Sequence, residues 1–265
     1  MTGHAFSFLE LPILPEKPRK TGLFIGGDFA LSPEVQEGVL DTHSGIIDHA
    51  KFTDHAGLVS RYPEQWFKRK AELYRRHNVG FFPGGISFEV AMVQDKVEEY
   101  FKRLKELGFT GVEVATDVIP AMPPKQREAT IGKAKASGLE VFTEIGRKYP
   151  DKPLEAGEAI EAIKADLEAG SSKVTIEAAE LIVLGDTNPQ VMVDVVEAVG
   201  LDKVVFECSP PEPCTKAAVW LVKTFGPGVN LENIALRECN RVYAIRQGLI
   251  RETGHPYLNK MAGKR

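Results

Sequence analysis

Cysteine is scarce in this chain of 265 residues: Cys208, Cys214 and Cys239 are the three present, and no CxxC spacing joins them. An odd count so placed is not a disulfide framework, and a reducing cytoplasm is the expected compartment. Long apolar runs are missing as well, none approaching the ~20 residues of a membrane span. The first ten residues, Met1 to Glu10, have no basic segment leading into an apolar core, so no secretory leader is expected. Basic residues show no excess: 33 Lys and Arg stand against 37 Asp and Glu, scattered along the chain, for a net charge of -4. Without a basic face, a nucleic-acid or membrane-surface role is not expected. No GxGxxG or Walker loop follows the first strand candidate, which argues against a doubly wound nucleotide-binding sheet.

What the chain does have is a regular alternation. Apolar runs read as strands at Gly22 to Asp28, Ile46 to Phe52, Val79 to Phe82, Gly111 to Ala115, Leu139 to Ile145, Lys173 to Glu177, Lys203 to Glu207 and Asn230 to Ile234. Helical patterns separate them, at 33–40, 63–77, 93–107, 125–137, 154–169, 189–199 and 215–225, with a closing helix at 238–251. Ser32 and Pro33 mark the first helix start as N-cap and first helical residue. Alternation of this kind implies parallel strands joined by right-handed crossovers, and the length suits an α/β barrel of ~250 residues. The expected fold is a single-domain (β/α)8 TIM barrel over 21–253, with a lead at 1–20 and a tail at 254–265.

In such a barrel the C-terminal strand ends share one mouth, where chemistry concentrates. Glu144, Glu177 and Glu207 end three of the strands, as metal ligands or as acid and base groups. Lys51 and Lys148, at or just after strand ends, read as groups that polarise a carboxylate, bind an anion or deliver a proton. Asp28, after two glycines, Glu113, within its strand, and Arg147 are candidates for substrate binding. His43, His49 and His55 lack the spacing of a zinc site and read as solvated loop residues. Cys208 reads equally as a small apolar filler or a nucleophile.

Several segments together resemble one family: Lys17-Pro-Arg-Lys-Thr-Gly-Leu23, Ile47-Asp-His-Ala-Lys51, Phe82-Pro-Gly-Gly-Ile-Ser-Phe-Glu89, Leu107-Gly-Phe-Thr-Gly-Val-Glu113, Glu144-Ile-Gly-Arg-Lys148, Asp166-Leu-Glu-Ala-Gly170, Lys203-Val-Val-Phe-Glu207 and Phe225-Gly-Pro-Gly-Val-Asn-Leu-Glu-Asn-Ile234. In one register along nearly the whole chain, they resemble phosphosulfolactate synthases, barrel lyases that add sulfite to phosphoenolpyruvate on the route to coenzyme M. The resemblance implies Mg²⁺, an enolate-type (aci-carboxylate) intermediate, strand-end glutamates at Glu144, Glu177 and Glu207, and Lys148 as the general acid. Lys51 and Arg246 would hold the anionic groups of a small carboxylate substrate. The segments Gly27-Asp-Phe-Ala30, Lys51 to Gly57, Glu177 to Ile182 and Ile245 to Thr253 depart from the family pattern. A diverged member acting on another, non-phosphorylated carboxylate is therefore an alternative reading, and a barrel used only for binding is a third. Whether the chain forms a homo-oligomer is left open.

Overall fold

A strand with one face toward a helix layer and the other toward its own barrel is buried on both sides, so its runs are apolar nearly throughout. The computed structural model, which describes residues 5–11, 14–208 and 214–263, contains eight such strands. They are β1 (Phe24–Asp28), β2 (His49–Phe52), β3 (Gly80–Pro83), β4 (Gly111–Val114), β5 (Glu140–Ile145), β6 (Lys173–Ile176), β7 (Val204–Glu207) and β8 (Asn230–Ala235). Every paired neighbour is parallel, and β8 returns to pair with β1. Between β3 and β4 the ring is drawn together by Thr110, whose N–H donates to Phe81 O at 2.8 Å. The expected (β/α)8 barrel is the observed fold.

Alternation along each strand sorts the side chains. Phe24, Phe52, Phe81, Val112, Val141, Val174, Val204 and Leu231 face outward into the main core with the helices. Ile25, Phe82, Phe142 and Val205 meet inside the barrel as a separate apolar layer. These four come from the odd-numbered strands, the arrangement that lets four side chains fill one level of such a barrel. The inward strand positions above that layer carry Lys51, Glu113, Thr175 and Glu232, then Glu144 and Glu207.

Three local departures from the sequence reading matter for the site. The helix expected at 93–107 is observed at Val97–Leu107, and an unexpected helix, Gly85–Val93, precedes it, the two separated at Asp95, whose φ is 53°. The stretch after Glu177, expected as a loop, is the helix Ala178–Thr187, with buried Leu181 and Leu184 three residues apart. The loop after β2 also coils, into the short helix His55–Ser60.

The lead is tied down beneath the barrel rather than trailing from it. Lys17 donates to Ser44 O and Ile47 O at 3.0 and 2.6 Å, and Arg19 pairs with the buried Asp48 at 3.1 Å. The tail carries a further short helix, Pro256–Met261. Among the described residues, no helix is long and apolar enough to cross a membrane.

Candidate active site at the barrel mouth

Directly above the apolar layer, the even-numbered strands supply Lys51, Glu113, Thr175 and Glu232. The Lys51 ammonium lies 2.6 Å from Glu232 Oε1, 2.9 Å from Glu113 Oε1 and 3.5 Å from Glu144 Oε2. The remaining oxygens are also engaged: Glu113 Oε2 accepts the Gly85 N–H at 2.6 Å, and Glu232 Oε2 accepts the Thr175 hydroxyl at 2.8 Å. Gly85 opens the helix Gly85–Val93, so a helix N-terminus with its partial positive charge faces Glu113.

One level higher the odd-numbered strands contribute Glu144 and Glu207, with Gly27 and Gly84 at the other two positions. Glu207 accepts from Asn233 Nδ2 at 2.5 Å and from the Ala178 N–H at 3.3 Å. Lys148 reaches over the rim, 2.7 Å from Glu177 Oε2, 3.6 Å from Asp117 Oδ2 and 3.8 Å from Glu144 Oε1. The loop that carries Asp117 is fixed by the buried Glu89, whose carboxylate accepts the N–H groups of Asp117 and Ile119 at 2.9 and 2.8 Å.

Six carboxyl groups (Glu113, Asp117, Glu144, Glu177, Glu207, Glu232) thus face two ammonium groups in a buried space. Such an excess cannot ionise fully without a large desolvation penalty. Burial, reinforced by Glu207 and Glu113, raises Glu144 well above the usual carboxylate range, and burial raises Glu207 too. Burial brings Asp117 up to about 7 against the pull of Lys148. Glu177 runs the other way: burial raises it, yet its hydrogen bond with Glu144 and the Lys148 charge bring it down to about 2. Burial opposes the charge on Lys51, but Glu113 and Glu232 hold it well above its ordinary value.

Burial also lifts Glu232 to about 7, with Lys51 pulling down. The folded protein therefore retains a proton between about pH 4.5 and pH 7 that the unfolded chain has lost. That stabilising share is complete below about pH 4.5 and gone above pH 7, at roughly 1.4 kcal/mol for each pH unit a single proton spans. The thermal midpoint is expected to fall from pH 5 to pH 7, and Glu232→Gln to flatten part of that slope. An unchanged slope in the variant would remove Glu232 as a cause.

Of the residues singled out from sequence, Lys51, Glu113, Glu144, Lys148, Glu177 and Glu207 are brought together here. Asp28 is not. It follows the inward Gly27, so it faces outward, where Lys70 and Tyr74 hold Oδ2 at 2.7 and 2.6 Å. Arg246 is at the opposite end of the barrel, donating to Pro227 O, Val229 O and Leu23 O. Arg147 contacts Ile119 O at 3.3 Å and lines a cleft of about 580 Å³ behind β5, shared with Arg127 and Lys152.

His49 and His55 are not solvated loop residues. His49 stands in β2 against Phe142, ring centroids 5.1 Å apart, and His55 packs at the mouth. His43 is half-buried at the end of the helix Pro33–His43. Cys208 is buried with its Sγ 3.9 Å from Phe206 O, as a packing residue would be. Cys214 lies outside the residues whose side chains are described.

Asp117 and Glu232 were not singled out, although each carries the signal used for the others. Asp117 falls just beyond a strand, and Glu232 is an acid inside an apolar run. Asp117 alters the metal reading: oxygens of Asp117, Glu144 and Glu177 lie within 4.8 Å of one another, while Glu207 is outside this group. Asp117 Oδ1 is buried without a hydrogen-bond partner. An all-carboxylate donor set with an orphaned oxygen fits a hard divalent cation such as Mg²⁺.

Eight parallel strands with acids and lysines gathered at their C-terminal ends define a (β/α)8 barrel with a candidate active site at its mouth. The fold is similar to N-acetylneuraminate lyase from Mycoplasma synoviae, with a TM-score of 0.56 at 12% identity over 93% of this chain and 83% of that one. The model of the (2R)-phospho-3-sulfolactate synthase (ComA) family matches residues 12–252. A phosphosulfolactate synthase from Methanothermobacter thermautotrophicus is 31% identical over 259 residues, covering 94% of this chain and 97% of its own. Another, from Methanocaldococcus jannaschii, is 32% identical over 241 residues, covering 88% and 93%. The chain belongs to the phosphosulfolactate synthase family and is a lyase.

Proposed function

We propose that the chain forms a carbon–sulfur bond by adding sulfite to C3 of phosphoenolpyruvate. The observation that carries this reading is the trio Asp117, Glu144 and Glu177 gathered around the Lys148 ammonium at the open end of the barrel. In the addition, the sulfur lone pair makes the new bond while the C2=C3 π pair moves into the carboxylate, giving an aci-carboxylate. C2 then takes a proton from Lys148, and the carboxylate is restored. A Mg²⁺ ion held by Asp117, Glu144 and Glu177 would supply positive charge where the carboxylate gains a second negative one.

The surrounding acids, Glu144 first, hold Lys148 above its ordinary pKa although burial opposes them. A proton held so tightly is a poor donor until part of that negative charge is neutralised. Lys148 and a divalent cation share the same three carboxylates, so filling the site also prepares the lysine to release its proton. Lys51, one level deeper and fixed by three carboxylates, contributes standing positive charge to the floor of the site.

Incubating the protein with Mg²⁺, phosphoenolpyruvate and sulfite is expected to yield phosphosulfolactate, read by mass spectrometry. Folded, Mg²⁺-loaded protein that forms none would sink this activity. A second reading, addition to a non-phosphorylated unsaturated carboxylate, is supported by Arg246, which donates to main-chain carbonyls at the opposite end of the barrel and holds no anion at the mouth. Running the same assay with acrylate in place of phosphoenolpyruvate separates the two.

A further inference from the structure

The level of Glu144 and Glu207 has glycine at its other two inward positions, and side chains fill the space before both: Phe29 and Asn233 before Gly27, His55 before Gly84. A Cβ on Gly84 would meet His55 Cε1 at 2.6 Å and Lys51 Cε at 3.1 Å. The imidazole therefore stands where a strand side chain would complete the ring. It reaches there from the first residue of the helix His55–Ser60, whose start is pinned independently of the acid cluster. Asp54 Oδ1 accepts the Gly57 N–H at 2.9 Å, and Asp54 Oδ2 is held by Arg61 and by the Tyr62 hydroxyl at 2.6 and 2.9 Å.

The ring is not fully satisfied. His55 Nδ1 is buried and has no hydrogen-bond partner among the described residues. Leaving such an atom unpaired is destabilising, a cost that a ligand's hydrogen bond can offset. Simple packing against Gly84 would be served as well by an apolar ring.

We infer that His55 is a specificity residue of the mouth, its imidazole hydrogen-bonding the bound carboxylate substrate beside Lys51. This rests on the reading of the mouth as the site of addition. Burial, aided by the Lys51 charge, lowers the ring to about 4, so at neutral pH it offers one donor and one acceptor and no net charge. It therefore selects by hydrogen-bond geometry, leaving charge recognition to the lysines.

The test compares wild type with His55→Phe, which fills the space without nitrogens, and His55→Gln, which restores a neutral hydrogen-bonding group. His55→Leu replaces the phenylalanine variant if that one does not fold. With phosphoenolpyruvate and sulfite, the apolar variant is expected to raise KM for phosphoenolpyruvate by about tenfold or more with kcat nearly unchanged, the glutamine variant recovering most of it. Equal KM in all three overturns the inference and leaves the reaction standing. If wild type forms no product, calorimetric titration of Mg²⁺-loaded protein with phosphoenolpyruvate and with pyruvate takes over. Weaker binding by the apolar variant alone supports the role of His55 without that reaction. Equal binding by all three, or no binding by wild type, overturns it.

Discussion

Replacing Lys51 by methionine is expected to lower folding stability by about 3–5 kcal/mol at pH 8, the scale for breaking a buried ion pair by removing one partner. Methionine nearly matches the lysine in length, so packing is largely kept. What is lost is the charge that lies within 3.5 Å of Glu113, Glu144 and Glu232. Without it Glu144 and Glu232, already raised by burial, hold their protons to still higher pH than in the unfolded chain. Stability is then retained below the unfolded carboxylate range near pH 4.5 and lost as pH rises, so the deficit should shrink from pH 8 to pH 5.5. Urea unfolding at both values reads this directly, and Glu232→Gln added to Lys51→Met should recover part of the loss. A deficit under about 1 kcal/mol at pH 8, or one independent of pH, would show that Lys51 does not compensate these acids.

The second large effect concerns turnover. Lys148→Ala is expected to lower kcat by about 10³-fold, inside the 10²–10⁴ range for a positioned general acid. Lys148→Arg keeps the cation but not a releasable proton, so it should remain within about tenfold of the alanine variant. Lys148→Arg should unfold near the wild-type temperature, whereas Lys148→Ala leaves the buried Glu177 without its ion pair and should unfold lower, so kcat is compared well below both midpoints. An alanine variant with more than about a third of wild-type kcat, on whatever substrate the enzyme turns over, would end the proton-transfer role.

Much of this site is legible in the sequence. Glu144 and Lys148 lie four residues apart at the end of one apolar run, and Glu177 ends the next. Parallel neighbouring strands must bring such ends to the same rim. The rule misplaced Asp28 because adjacent residues of a strand face opposite sides: Gly27 points into the barrel and Asp28 toward Lys70 and Tyr74. It misplaced Arg246 because the helix Cys239–Gln247 runs back toward the bottom, where the guanidinium donates to the carbonyls of Val229 and Leu23. Two of the helices that went unseen, Gly85–Val93 and Ala178–Thr187, begin directly at strand ends, with no intervening loop to announce them. Their N-termini are what bring the Gly85 and Ala178 N–H groups to Glu113 and Glu207.

The sequence by itself determined the number of strands and their parallel order, because apolar periodicity is a local signal, and the acids at strand ends marked where a site would lie. Tertiary structure alone decided which acids meet. Lys51 touches Glu232 from strands at opposite ends of the chain, and Asp117 takes the place beside Glu144 and Glu177 that Glu207 had been expected to fill. His55 enters the ring only because Gly84 leaves room for it. Closure of the sheet sets these distances, and no local pattern encodes closure.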